Sequence, residues 1–367
     1  AAVAVTDPRM RLRLLLLPAL LATVTLSAAT LPEDRVEAMY HRYDGGGVTV
    51  DGPAVFARRH ITNTVSAAAE YYVDSISSAS IDVVTSASPY SEQRTETNLG
   101  LDWLYGDTLM AASFTHSDES DYQSDTYGLS VAQDVFGGMT TISMGYAHGD
   151  DTVERVDTDF EDTVDRDNFV LGLTQILTPT LLATADYEAV LEDGYLANPY
   201  RSARILGAQV PERYPRTRTS HALAFSGIKS WSKDTALRGR YRYFTDTWDI
   251  KAHTFELGIS RYLGERWTAD LSYRFYTQDG ASFYSDDFDG EYNYMSRDKE
   301  LSDFDSHALG GRLTWSMNNG LPLGLDRANL TLSYEYVRFD YDNFTDIRNG
   351  DLYEFSSQVF QLYFTSW

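Results

Sequence analysis

The dominant pattern along the chain is a two-residue alternation of apolar and polar positions. From Leu181 to Leu191 the odd positions are Leu181, Ala183, Ala185, Tyr187, Ala189 and Leu191, while the even ones are Leu182, Thr184, Asp186, Glu188 and Val190. Trp267, Ala269, Leu271, Tyr273 and Phe275 alternate with Thr268, Asp270, Ser272 and Arg274, and Leu237, Gly239, Tyr241 and Tyr243 with Arg238, Arg240 and Arg242. The same period recurs in Val65/Ala67/Ala69/Tyr71/Val73, Ile142/Met144/Tyr146, Phe169/Leu171/Leu173 and Leu330/Leu332/Tyr334/Tyr336. Successive side chains of a strand point to opposite faces, so each segment predicts a β-strand with one apolar and one polar side.

A soluble sandwich alternates too, but the length of the strands, the aromatics near their ends and the spacing of the connectors favour a barrel in a membrane. Short connectors at 104–107, 136–139, 178–180, 232–234 and 264–266 intervene between long polar ones at 74–95, 149–165, 194–216, 279–302 and 340–351. Outer-membrane barrels are built this way, with short periplasmic turns and longer external loops. Counting back from Trp367 with the C-terminus periplasmic predicts strands near 352–367, 327–340, 303–317, 266–278, 252–263, 235–247, 217–231 and 181–193. It continues with 166–178, 139–149, 122–135, 108–117, 95–104, 63–74 and 47–59. A sixteenth, 36–43, precedes the Asp44–Gly47 turn and puts both termini on the periplasmic side. The predicted fold is all-β: a transmembrane antiparallel up-and-down barrel of sixteen strands, with fourteen the alternative count. The closing run Val359–Trp367 resembles the aromatic-ended strand read by the barrel-assembly machinery, and its better apolar face is Phe360, Leu362 and Phe364.

Composition narrows the picture. The 367 residues carry 54 Asp+Glu against 30 Lys+Arg, a formal charge of −24, and no cysteine. There is no disulfide framework or thiolate metal site, and no basic stripe to bind nucleic acid. Met10, Arg11 and Arg13, the apolar run Leu14–Leu26 and the small residues Ser27–Ala29 have the order of a cleavable signal peptide. Residues 1–29 are therefore expected to be a signal with an upstream extension, and 30–367 the barrel, placed in the outer membrane of a Gram-negative bacterium.

The segments Ala38–Tyr43, Gly46–Pro53, Tyr71–Thr85 and Ala87–Glu96, with Tyr71-Tyr72-Val73-Asp74-Ser75 the most specific part, resemble a widespread family of uncharacterised exported bacterial proteins. That family is a domain of unknown function predicted to form outer-membrane barrels. The resemblance implies the barrel fold over almost all of residues 30–367. It also implies a gene neighbourhood with a small lipoprotein, a thioredoxin-like protein and a flavin transferase, and hence a lipoprotein or redox partner.

Three constellations are candidates for function. With the apolar faces toward lipid, Glu70, Asp74, Asp186, Glu188, Arg238, Arg240, Arg242, Glu256, Asp270, Arg274 and Arg312 point into the lumen. The plain reading is a bracing network along the wall, and the sharper one is selectivity for an anionic solute. The Ser/Ala-rich stretch after Asp74 reads as an inward-folded or helical loop, with Asp82, Glu92 and Arg94 as gating candidates, or else as a packed external cap. The acidic run Asp286, Asp287, Asp289 and Glu291 offers oxygen ligands for a divalent cation, without the spacing of an EF-hand. The plain reading there is solvated charge facing lipopolysaccharide. The seven His show no ligand spacing, and no cofactor is expected. The function read from the sequence is a channel of unspecified substrate, the alternatives being a non-conducting scaffold for an envelope partner and an envelope enzyme.

Overall fold

The computed structural model describes residues 29–78, 90–318 and 327–367. Residues 1–28 of the predicted signal peptide, and Asp82, lie outside them. The strands are β1 (Arg35–Gly45), β2 (Val48–Thr62), β3 (Val65–Ser78), β4 (Tyr90–Tyr105), β5 (Thr108–Asp118), β6 (Tyr122–Val135), β7 (Thr140–Glu154), β8 (Glu161–Thr178) and β9 (Leu181–Gly194). A small hairpin follows, β10 (Ser202–Ile205) and β11 (Ala208–Pro211). Then come β12 (Thr217–Ser232), β13 (Thr235–Asp246), β14 (Lys251–Leu263), β15 (Trp267–Gln278), β16 (Phe304–Asn318), β17 (Arg327–Thr345) and β18 (Leu352–Ser366).

All but β10 and β11 form one closed barrel in which each strand pairs with its chain neighbours and β1 closes on β18, from Val36 opposite Ser366 to Gly45 opposite Ser357. The sixteen-strand count holds and the fourteen-strand alternative falls. Closure leaves no unpaired edge, which a strand protein inside hydrocarbon requires.

The two faces differ as the alternation predicts. Leu129, Leu257 and Leu271 on the outside are 64%, 67% and 54% exposed, a state that lipid and not water satisfies. On the last strand Phe360, Leu362 and Phe364 share this outer face, while Gln361 and Tyr363 turn inward opposite His41 and Met39. Aromatic girdles bound the apolar belt. At one rim stand Trp103, Trp231, Trp267 and Trp315, the last two with rings 6.0 Å apart. Toward the other rim Tyr187, Tyr241 and Tyr273 place their hydroxyls 2.9, 2.8 and 2.7 Å from the Nδ1 atoms of His221, His253 and His307. Amphipathic rings at the two ends of an apolar band are the interfacial anchors of a membrane barrel.

The Trp rim carries the tight turns, such as Gly106-Asp107, together with the start of β1 and the end of β18. The opposite rim carries the long connections, but fewer than the sequence suggests. The connectors read at 149–165 and 340–351 shrink to 155–160 and 346–351 because β7, β8 and β17 run on above the belt. β17 has 19 residues where about 9–11 suffice to span. Apolar alternation stops there, since outward Asp150, Asp165 and Asp167 face an aqueous layer, while the backbone ladder continues through Asp150 opposite Asp165. Similarly, 74–78 and 90–95 are strand and not the ends of a folded-in loop. The two-residue connection Gly46-Gly47 has φ of 60° and 79° at its two positions, the geometry of a type I′ hairpin.

Candidate functional site

The lumen is lined by the polar halves of the strands. Small residues make room there: a Cβ on Gly128 would come within 2.5 Å of Ser113 Oγ, and one on Gly310 within 2.7 Å of Ser272 Oγ. At Gly258 the space is taken by Arg238, whose Nε lies 3.2 Å from where a Cβ would stand; long charged side chains like this one reach neighbouring strands, or across an intervening strand along the concave wall.

On the wall formed by β9 and β12–β17 the predicted Arg ladder is met by carboxylates. Arg238 lies 3.5 Å from Asp270, Arg240 4.0 Å from Glu256, Arg242 3.3 Å from Glu188 and Arg274 3.5 Å from Glu335. Three of these pairs span an intervening strand, so Asp270 serves Arg238 on β13 and not Arg312, its direct register partner on β16. Arg312 is exposed to the lumen. The contacts are long, and at that level two of their members are open to water on the inner face: the Arg238 side chain is 44% and that of Glu256 38% exposed.

The wall formed by β1–β8 is built differently, from short and largely buried contacts. Arg58 on β2 reaches Asp102 on β4 at 2.7 Å, and Ser66 on the strand between donates to the same carboxylate at 2.9 Å. His41 Nε2 lies 2.8 Å from Asp74 and 3.0 Å from the Tyr72 hydroxyl, with the imidazole stacked on the Tyr72 ring. Arg166 pairs with Asp151 at 2.9 Å and Glu192 at 3.3 Å. Glu70 also faces inward, on β3 opposite Asn98. Of the gating candidates, Arg94 and Glu92 belong to β4: Arg94 is buried against Ser117, Glu96 and Glu119, and Glu92 accepts from the Ser120 backbone N–H at 3.0 Å. They brace the rim of the wall.

Above the ladder the long connections fold together into a cap, which sequence reasoning missed. The β10–β11 hairpin is joined to residues 279–303 by bridges between Ile205 and Phe288 and between Arg213 and Met295. Three apolar clusters organise the cap, the first inside it and the other two between it and the wall. Ala203, Phe288 and Met295 form one; Trp248, Ile250, Phe283 and Leu301 form another; Phe304, Phe339, Tyr341, Phe344 and Tyr353 form the third. Phe344 and Met295 are almost wholly buried. Arg297 sits 4.3 Å over the Phe344 ring and pairs with Asp286 at 2.7 Å. Glu212 accepts the Arg297 backbone N–H at 2.7 Å and the hydroxyls of Ser296 and Tyr214 at 3.0 Å. Burial, and the charge of Asp298 beside it, push its carboxyl up to about 7.

The four acidic residues considered as metal ligands are spent inside this cap. Asp286 holds Arg297 and Thr345, Asp287 accepts the Gly207 N–H at 3.0 Å, Asp289 takes the Tyr292 hydroxyl at 2.7 Å and Glu291 pairs with Arg213 at 3.0 Å. Among the described residues the carboxylates and imidazoles close enough to share an ion lie elsewhere, as His148/Asp150/Asp165 and Glu92/Glu119/Asp121.

A closed, apolar-belted barrel with a charged interior defines an outer-membrane β-barrel. A bacterial polysaccharide outer membrane secretin has a similar fold, with a TM-score of 0.52 at 10% identity over 90% of this chain and 97% of the secretin. A Pseudomonas aeruginosa FadL homologue (TM-score 0.42, 9% identity, 91% of this chain and 89% of that one) and P. aeruginosa OccK2 (0.44, 9%, 92% and 99%) are further structural matches. By sequence, residues 159–336 match the family described as protein of unknown function, DUF3570. The resemblance drawn from the N-terminal motifs pointed to such a family, and the matched stretch runs from the approach to β8 to the middle of β17. No characterised protein matches the chain by sequence.

Proposed function

We propose that the protein is a passive conduit of the outer membrane, with the Trp rim and both chain ends periplasmic and the capped rim outside. The observation that carries this reading is the solvated ladder: charged side chains inside the barrel, Arg238 and Glu256 above all, keep two-fifths of their surface accessible to water. Sixteen-stranded barrels are wide enough for an aqueous channel. The fold is similar to that of an outer membrane secretin, which supports transport as the kind of activity. A conduit needs positioned charge and an open path, and it breaks no bonds in its cargo.

The packed cap favours a second reading, a non-conducting scaffold that presents the cap to an envelope partner such as a small lipoprotein. Planar-bilayer recording of the protein purified from outer membranes separates the two. Stepwise conductance is the expected result. Silence both in the full chain and in a variant lacking the 198–212 hairpin region would establish the scaffold instead.

A further inference from the structure

We propose that the outer face of β12–β14, where the apolar belt ends toward the capped rim, holds the phosphate of an outer-leaflet lipopolysaccharide. This uses the assignment of the capped rim to the outside and does not depend on conductance. The upper edge of the belt follows one pattern around the barrel: an outward Tyr places its hydroxyl against the residue two positions higher on the next strand. What meets the hydroxyl differs between the halves. On β1–β8 it is a carboxylate, Asp51 at 2.6 Å from Tyr40 and Asp167 at 2.7 Å from Tyr146, and the imidazoles of that half are themselves held, His116 by Asp125 at 2.7 Å and His148 by Asp167 at 2.9 Å. On β9–β16 it is an imidazole, in Tyr187–His221, Tyr241–His253 and Tyr273–His307. A collar of carboxylates repels a phosphate; a collar of imidazoles does not.

Register concentrates the donors at one place. His221 on β12 stands opposite Thr245 on β13, and Thr245 opposite Lys251 on β14; in the row below, Tyr243 stands opposite His253 and His253 opposite Thr277. All share outward parity with the belt residues beneath them. Strands lie about 4.8 Å apart and alternate residues about 7 Å apart along a strand, so the two rows make a patch on the scale of a lipid headgroup. The Tyr hydroxyls engage Nδ1 of His221 and His253, which leaves Nε2 of each to the outside. Lys251 is exposed, and among the described residues no carboxylate lies within 4.0 Å of its ammonium. Even Asp279, whose N–H donates to the Lys251 carbonyl at 2.9 Å, keeps its carboxylate beyond that range. An ammonium flanked by imidazole nitrogens and hydroxyls is a donor set of positive charge, the complement of a phosphate. Phe225 and Phe255 just below, 51% and 48% exposed, offer the acyl chains a surface. Beyond β15 the outer face turns acidic again, with Asp305 opposite Asp340, which bounds the patch.

The test is native mass spectrometry of the full-length protein in detergent, with diphosphoryl lipid A, the same lipid freed of its phosphates, and phosphatidylglycerol as probes. Diphosphoryl lipid A should be retained about fivefold or more over the dephosphorylated form. Lys251→Gln should remove about fivefold of that preference and Lys251→Arg restore it. His253→Phe, which keeps a ring and loses both nitrogens, should weaken retention with Lys251 intact, and Asp167→Asn on the acidic half should leave it unchanged. Equal retention of the two lipid A forms, or a preference that survives both Lys251→Gln and His253→Phe, overturns the site. A loss of the same size in Asp167→Asn overturns its placement on β12–β14, and equal retention of phosphatidylglycerol overturns its assignment to the outer leaflet. Silence in bilayer recordings would leave this inference standing, and failure of the lipid preference would leave the channel standing.

Discussion

The two halves of the barrel solve one problem in different ways. Both must place charged residues on an inner wall. Across β1–β8 the charges sit in short contacts among buried partners, as in Arg58–Asp102 and His41–Asp74, and no packed cluster of external loops covers them among the described residues. Across β12–β18 the ladder pairs are longer, 3.3 to 4.0 Å, with Arg238 and Glu256 open to water, below an aromatic cap at whose foot Arg218 and Asp246 make one short buried pair of 2.6 Å. Where ion pairs are buried they brace the wall themselves. Where water reaches them, bracing passes to the apolar clusters of the cap, because an exposed pair contributes little and a packed aromatic much.

The largest expected effect breaks the buried side of this comparison. Arg58→Met leaves Asp102 in the wall with only Ser66 and should cost about 3–5 kcal/mol, read as a lower urea midpoint in detergent. Asp102→Leu in the same chain should recover most of it. On the capped side, Phe344→Ala empties a site with no exposure and should cost the cap about 3 kcal/mol. Limited proteolysis should then cut within 279–303 while the heat-modifiable barrel band persists.

A third prediction concerns pH. The folded Glu212 carboxyl titrates near 7 against an ordinary value of 4.5, so the folded cap holds this proton more tightly than the unfolded chain does. Stability is therefore fullest at low pH and declines as pH rises from about 4.5 to 7. Cleavage within 279–303 should be slower at pH 5 than at pH 8, and Glu212→Gln should flatten that difference. The smallest effect is the sharpest contrast with Arg58: Arg240→Gln breaks a 4.0 Å solvated pair and should shift the urea midpoint by less than about 1 kcal/mol.

The strands, their number and their inward and outward faces were legible because the signal is local. A two-residue period needs no knowledge of what lies across the barrel, and Leu181–Leu191 or Trp267–Phe275 announces both faces at once. Even the sixteenth strand, β1, followed from the turn chemistry of Gly46-Gly47. Strand ends were less legible. Above the belt the outer face of β7 and β8 turns polar at Asp150, Asp165 and Asp167, and the outward apolar marker disappears while the ladder goes on.

The candidate site divides the same way. That Arg238, Arg240 and Arg242 share a face is a matter of parity within one strand. That they meet Asp270, Glu256 and Glu188 depends on barrel curvature, which brings side chains across intervening strands on the concave side. The cap depended on tertiary structure altogether. Phe344 comes from the end of β17, Arg297 and Asp286 from the connection between β15 and β16, and Glu212 from the one between β9 and β12, and nothing in 279–302 taken alone distinguishes a solvated acidic loop from one whose carboxylates are spent on distant partners. The sequence by itself determined the wall, since alternation and turns act over a few residues. Only the folded chain decided which charges cancel, which remain in the water, and what closes over them, because those contacts join residues tens of positions apart.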